Sequence, residues 1–152
     1  MKTILTYGTF DMFHYGHLRI LKRAKKYGDR LIVGVSTDSF NDKKGKKTIV
    51  PFSQRKEIVE NIKDVYKVIP ENNWKQKTKD IKKYNVDVFI MGNDWKGKFD
   101  DLKKYCKVIY LPRTKKTSTT EMKSLFNSIN EKSIKNIENS LEMLREIKRN
   151  FE

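Results

Sequence analysis

The stretch YGTFDMFHYGHL, residues 7–18, holds both histidines of the chain, three positions apart with Gly16 between them. It follows a short apolar run, Ile4 to Tyr7, that reads as a strand. It leads into a helical pattern over Tyr15 to Tyr27, with Leu18, Leu21 and Ala24 on one face and Gly28 as the stop. Strand, loop, helix is the opening of a parallel α/β unit. A helix beginning near Tyr15 places His17 in its first turn and His14 just before it. Gly16 lets a ligand approach the backbone closely. The free N–H groups and the dipole at that end favour an anion. Either histidine alone fits a capping or core role. The pair, behind a strand and around a glycine, reads as a site where two imidazoles donate to phosphoryl charge.

The same alternation continues. Leu31 to Val35 reads as a second buried strand, residues 38–50 as a polar, lysine-rich loop, and Ser53 as the cap of a helix to about Lys63. Val65 to Ile69 is a third strand, closed by Pro70. Trp74 to Lys83 is helical by pattern, Val86 to Met91 is a fourth strand, and Asp100 to Tyr105 is a short helix before strand Lys107 to Leu111. Apolar strands joined by helical crossovers imply a parallel sheet covered on both faces. Right-handed connections make it Rossmann-like and doubly wound, with five strands. Ligands bind such sheets at the carboxyl ends of the strands. The segments TFDMFHYGH, STDSFNDKKGKK, GNDWKG and PRTKKTSTT therefore converge on one edge.

Size and charge narrow the partners. A chain of 152 residues suits one core, and 37% hydrophobic content supports it. No apolar run approaches the ~20 residues of a membrane span, and the N-terminus does not read as a signal peptide. One cysteine, Cys106, excludes an internal disulfide and fits a reduced, cytoplasmic protein. The net charge of +15 lies wholly in residues 1–129, because residues 130–152 carry five acids and five bases. A basic body suits nucleotides, phosphorylated metabolites, nucleic acid or an acidic membrane. Its bases are scattered around helices without an aromatic-rich basic strand pattern, which argues against nucleic acid as the main partner.

Two further clusters suit phosphate. In PRTKKTSTTEM, Ser118 and Glu121 have capping-box spacing, Ser118, Thr119 and Thr120 offer hydroxyls and amides, and Arg113, Lys115 and Lys116 supply charge. A capped surface helix has the same pattern. Around Gly45, Lys43, Lys44, Lys46 and Lys47 form either a solvated basic loop or a loop that closes over phosphates. Residues 130–152 carry Ile134, Ile137, Leu141, Leu144, Ile147 and Phe151 at spacings of three and four, an amphipathic helix. It packs either on its own domain or on a second subunit. The organisation expected is a domain over 1–129 with a helical extension over 130–152.

With these segments in view, YGTFDMFHYGH resembles the signature of the HxGH nucleotidyltransferases, which are related to class I aminoacyl-tRNA synthetases. More narrowly the chain is similar to the glycerol-3-phosphate cytidylyltransferases over residues 2 to about 126. STDSFN at 36–41, Arg55, VIPENNW at 68–74, DVFIMGNDW at 87–95, KGKFD at 96–100 and LPRT with STT at 111–120 carry the likeness. The resemblance implies a Rossmann-like homodimer that converts CTP and sn-glycerol 3-phosphate to CDP-glycerol and pyrophosphate with Mg2+, for teichoic acid or capsule synthesis. It implies that His14 and His17 stabilise the α-phosphorus and that Gly8, Thr9, Phe10 and Asp11 line the nucleotide site with Gly16. Lys46 and Arg113 then bind phosphates with Thr114, Ser118, Thr119 and Thr120. Lys44 and Lys77 bind the acceptor phosphate, Arg55, Trp74 and Asp94 also belong to the site, and Mg2+ rides on the triphosphate rather than on a protein ligand set. Phosphoethanolamine or phosphocholine is the alternative acceptor.

Three departures stand out. Lys116 and Thr117 occupy positions where the family has glycine and isoleucine, which removes easy access to positive φ. Lys63 stands for an arginine, whose bidentate fork lysine lacks. Tyr66 stands for an acid. These changes bear on triphosphate binding.

Overall fold

The computed structural model describes residues 1–114 and 119–149. Five strands form one all-parallel sheet: β1 (Thr3–Gly8), β2 (Arg30–Ser36), β3 (Lys67–Glu71), β4 (Val88–Gly92) and β5 (Lys107–Leu111), in the order β3-β2-β1-β4-β5. Between them run α1 (Tyr15–Lys25), α2 (Asp38–Lys43), α3 (Phe52–Glu60) and α4 (Gln76–Lys83), and short 3-10 turns at Asn93–Trp95 and Asp100–Lys104. A last helix, α5, spans Thr119–Arg149.

The period-two alternation of the strands splits the core into two layers. Ile4, Leu31, Val33, Val35, Val88 and Ile90 face Leu21 and Ala24 of α1 and Val59 of α3. Leu5, Tyr7, Ile32, Ile69, Phe89 and Met91 face Ile81 of α4, Phe99 and Leu102. The sheet is thus wound on both faces, as expected. The direction of winding reverses between β1 and β4, and the crevice at their carboxyl ends is where such sheets bind ligands.

Three local readings change. Residues 38–43 are a helix, not a loop. Thr37 caps it by accepting from the Phe40 N–H at 3.3 Å, and Gly45 ends it at φ +68°. The N–H of Gly45 donates to the Asp42 carbonyl and that of Lys46 to the Asn41 carbonyl, both at 2.9 Å. That is a Schellman close, and only glycine takes the left-handed position without strain. Helix α3 starts at Phe52 with Pro51, whose fixed φ suits the entry, in the cap position expected of Ser53. Pro70 does not close β3 but lies inside it. β3 is an edge strand, so the missing N–H costs no ladder bond.

The chain forms two compact units, residues 1–117 and 118–152. The amphipathic pattern read over 130–152 is, up to Arg149, the later part of one helix that already begins at Thr119, and Phe151 lies outside the described residues. Leu125, Phe126, Ile129, Ile134, Ile137, Leu141 and Leu144 stand exposed along it. Among the described residues no helix is long and apolar enough to cross a membrane.

Gly34 in β2 lets the Tyr7 ring lie flat against the sheet. A Cβ there would sit 2.1 Å from a ring carbon. The ring cannot swing away, since its hydroxyl donates to Asp80 Oδ2 at 2.6 Å. Gly34→Ala should therefore cost about 1–3 kcal/mol as overpacking, read as a lower urea midpoint at unchanged slope. A parental midpoint would show that the ring is not pinned.

Candidate functional site

The loop from β1 to α1 turns back on itself. Phe10 and Met12 take left-handed backbone, φ 54° and 48°. Gly8 makes room for the fold-back, since a Cβ there would lie 2.8 Å from two Phe10 ring atoms. Phe10 is buried and its ring centroid is 5.4 Å from that of His17 and 6.4 Å from that of Phe13.

The two histidines form a reciprocal cap on α1. The Gly16 N–H donates to His14 Nδ1 at 3.0 Å, and the His14 N–H donates to His17 Nδ1 at 3.3 Å. Serine and glutamate usually fill these two roles. The rings stack at a centroid distance of 3.9 Å. An imidazole that accepts at Nδ1 carries its neutral-form proton at Nε2, so the cap selects the tautomer of both rings. Burial pushes the His17 pKa down to about 4, the neighbouring His14 adds to the fall, and Asp11 opposes it. In the protein without ligand, His17 is thus a neutral N–H donor at physiological pH.

Two residues expected to touch ligand have a different position. Asp11 is buried, and its carboxylate accepts from the backbone N–H groups of Ile49 and Val50 at 2.9–3.2 Å. Arg55 has no exposed surface. Its guanidinium donates to the carbonyls of Val50 at 2.8 Å, Thr9 at 2.6 Å and Ser36 at 2.8 Å, and to Asp38 Oδ1 at 2.7 Å. Arg55 braces the ends of β1 and β2 and the segment that follows α2. Asp38 accepts in addition from the Phe52 N–H at 2.9 Å and the Thr48 hydroxyl at 3.3 Å.

The Schellman close sets the two lysines that flank Gly45. Lys46 is exposed. Lys44 turns inward, and its ammonium donates to Ser36 Oγ at 3.0 Å and lies 4.2 Å from the Phe40 ring centroid. Lys77 of α4 is buried against Tyr7, Trp74 and Phe99, with its ammonium 4.5–5.4 Å from the three ring centroids. Both lysines converge on Glu71 at the end of β3, which sequence reasoning passed over. Lys77 Nζ is 2.5 Å from Oε1, and Lys44 Nζ is 4.0 Å from Oε2. Burial lowers the Lys44 pKa to about 8. Glu71 pulls it up, while Lys46, Lys77 and Arg55 push it further down. Burial and the bond to Asp80 raise the Tyr7 hydroxyl well above its ordinary value, so it stays protonated. Trp74 meets Phe40 and Trp95 at 5.4 Å and bounds this pocket. A groove of about 330 Å³ lined by Trp74, Lys77, Lys98 and Phe99 adjoins it.

At the ends of β4 and β5, Arg113 Nε lies 3.3 Å from Asp94 Oδ2, both side chains largely exposed. The Pro112 carbonyl accepts from Arg23 of α1 at 2.7 Å, which ties the end of β5 to the histidine helix. Thr114 ends the described part of that loop. Lys115, Lys116, Thr117 and Ser118 lie outside the described residues, and Thr119 and Thr120 open α5 in the second unit. Among the described residues no group of three or more His, Cys, Asp or Glu side chains converges to hold a metal ion.

This arrangement can bind two phosphate groups. One end offers the first turn of α1 and two N–H imidazoles. The other offers two ammonium groups against one carboxylate. Residues 5–144 match the family model described as cytidylyltransferase-like. The chain is 59% identical over 123 residues to the glycerol-3-phosphate cytidylyltransferase of Bacillus spizizenii, covering 81% of this chain and 95% of that one. It is 54% identical over 123 residues to the Staphylococcus aureus protein of the same name, covering 81% and 93%. Among solved structures it is similar to the lipopolysaccharide core biosynthesis protein of Thermoplasma volcanium, with TM-score 0.66 and 27% identity over 75% of this chain and 98% of that one.

Two outcomes follow from the geometry. In NMR titration of the ligand-free protein, His17 should stay neutral from pH 8 to 5.5. Its suppressed protonation costs stability as pH falls from 6.5 towards about 4, because the unfolded chain takes up that proton first. A midpoint near 6.5 would refute the buried cap. Arg55→Lys, which cannot bridge four acceptors, should cost about 3 kcal/mol in urea unfolding. A loss below about 1 kcal/mol would show that the brace is dispensable.

Proposed function

We propose that this chain, which belongs to the cytidylyltransferase-like family, transfers a cytidylyl group from CTP to sn-glycerol 3-phosphate, giving CDP-glycerol and pyrophosphate. The observation that carries the reading is the reciprocal His14–His17 cap, which keeps two Nε2–H donors at a helix N-terminus. The identity to curated glycerol-3-phosphate cytidylyltransferases supports the substrates.

The chemistry needs little more than alignment and charge. An oxygen of the acceptor phosphate is already a nucleophile, so it attacks the α-phosphorus in line and pyrophosphate leaves without a covalent enzyme intermediate. His14 and His17 donate to the oxygens where charge builds. Lys46 and Arg113 neutralise the leaving pyrophosphate, with Thr114 next to Arg113 in the chain. Gly8, Thr9, Phe10 and Gly16 shape the nucleotide side, where Phe10 fixes the His17 ring. Lys44 and Lys77 receive the acceptor phosphate under Trp74. Mg2+ prefers oxygen ligands and would travel on the triphosphate. The family resemblance further supports a homodimer acting in the cytoplasm, with CDP-glycerol serving a teichoic acid or capsule-type polymer.

The pocket's charge favours glycerol phosphate over phosphocholine or phosphoethanolamine. Its aromatic walls already hold two ammonium groups. A cationic head group would meet them at like charge, whereas a neutral polyol would not.

The test is pyrophosphate release from CTP and Mg2+ with each acceptor, using ATP as the nucleotide control. CTP-specific release that depends on glycerol 3-phosphate is expected. Equal or better turnover of phosphocholine would overturn the acceptor assignment. His17→Asn keeps a polar atom near the Nδ1 position and removes Nε2–H, so it should retain the fold and lose about 10²–10³ in kcat. Near-parental kcat would remove His17 from the chemistry.

A further inference from the structure

Glu71 sits where an anion-binding pocket would be expected to exclude a carboxylate. It is 3% exposed at the end of β3. Both of its oxygens are engaged. Oε1 accepts from Lys77 Nζ and Oε2 from Ser36 Oγ, each at 2.5 Å. Lys44 Nζ donates to that same Ser36 Oγ at 3.0 Å. One carboxylate thus links lysines from two elements, the close of α2 and the first turn of α4. We propose that Glu71 is a positioning residue for the acceptor phosphate, holding the Lys44 and Lys77 ammonium groups together until the phosphate replaces it as their partner. The inference rests on reading this pocket as the acceptor's phosphate site.

The physical need is plain. Two ammonium ions among the rings of Tyr7, Phe40, Trp74 and Phe99 are poorly hydrated and repel one another. Other charges facing them do not remedy this. Lys46 and Arg55 carry the same sign. Asp80 of α4 is engaged by the Tyr7 hydroxyl at 2.6 Å and the Gln76 amide at 2.8 Å. Glu71 is the group that opposes the depression of the Lys44 pKa. Without its charge, Lys44 would shed its proton at lower pH, and a neutral amine grips phosphate weakly.

The two lysines are held unequally. Lys77 is in direct contact with the carboxylate, whereas Lys44 reaches it through the serine hydroxyl and stands 4.0 Å off. Lys44 is therefore the partner that turns first to an incoming dianion, before Lys77 exchanges its carboxylate contact.

The experiment is Glu71→Gln in the full chain, which preserves shape and removes the charge. In the ligand-free protein, lysine side-chain NMR should show Lys44 titrating about one pH unit below its parental midpoint. The alkaline limb of kcat/KM for glycerol 3-phosphate should move down by the same amount, so that the deficit shrinks as the pH falls towards 6.5. The KM for CTP should stay within about twofold, because the residues proposed for the nucleotide lie elsewhere. An unmoved Lys44 midpoint, or a loss equal at every pH, would overturn the proposal. Ser36→Ala breaks the bridge alone and should shift the midpoint in the same direction by less. It decides the matter if Glu71→Gln does not fold. If the parental protein fails to turn over glycerol 3-phosphate, the acceptor reading fails, and the ligand-free Lys44 titration still tests Glu71.

Discussion

The Arg55 guanidinium is the constraint on which the site depends. Loop backbones at the end of a parallel sheet present carbonyls that no strand partners. Here three of them, from Thr9, Val50 and Ser36, are satisfied by one buried cation. Asp38 supplies the counter-charge from the first turn of α2. Asp11 performs the converse task, accepting backbone N–H groups from the segment after α2. Together they fix the histidine loop relative to the lysine loop with a buried charge pattern that hydrophobic packing could not supply, since loops bury too little apolar surface to be held that way.

Charge then acts differently at the two clusters proposed to hold phosphate. At α1 the donors sit on imidazoles whose tautomers the cap selects, and burial keeps His17 neutral through moderate acidity. Around Glu71 the donors are the Lys44 and Lys77 ammonium groups, gathered by one carboxylate. One end is set by backbone geometry, the other by electrostatic balance. A buried carboxylate beside an anion site has an evident logic. It gives the lysines a partner when no substrate is present, and so avoids the cost of two unpaired buried cations.

What could be read from the sequence was whatever depends on neighbours a few positions away. The strand-loop-helix order, the helix start at His14 and Tyr15, and the glycine between the histidines are local patterns, and all reappear in the structure. Helix α2 escaped notice because it is short and polar, although Gly45 among lysines was a legible stop. Pro70 read as a terminator because the edge position of β3 is a property of the whole sheet. Arg55 and Asp11 read as ligand contacts because their burial arises from loops that meet only in three dimensions. Glu71 was passed over for the same reason. The one clue, an acid at a strand end between a lysine-rich loop and Lys77, acquires meaning only once the strands are ordered.

The left-handed turn at Phe10 has a consequence for how the sequence could change. Holding a side chain at φ 54° costs roughly 1–2 kcal/mol. Glycine there would remove that cost but give the unfolded chain about 0.5–1 kcal/mol more freedom to lose. It would also forfeit an aromatic ring packed beside His17. Strain relief less the lost freedom leaves glycine ahead by about 1 kcal/mol, well short of the roughly 3–5 kcal/mol that deleting a ring buried in the core costs, so folding itself favours phenylalanine. The same ring packs beside His17, so one side chain ties the stability of the loop to the placement of the imidazole.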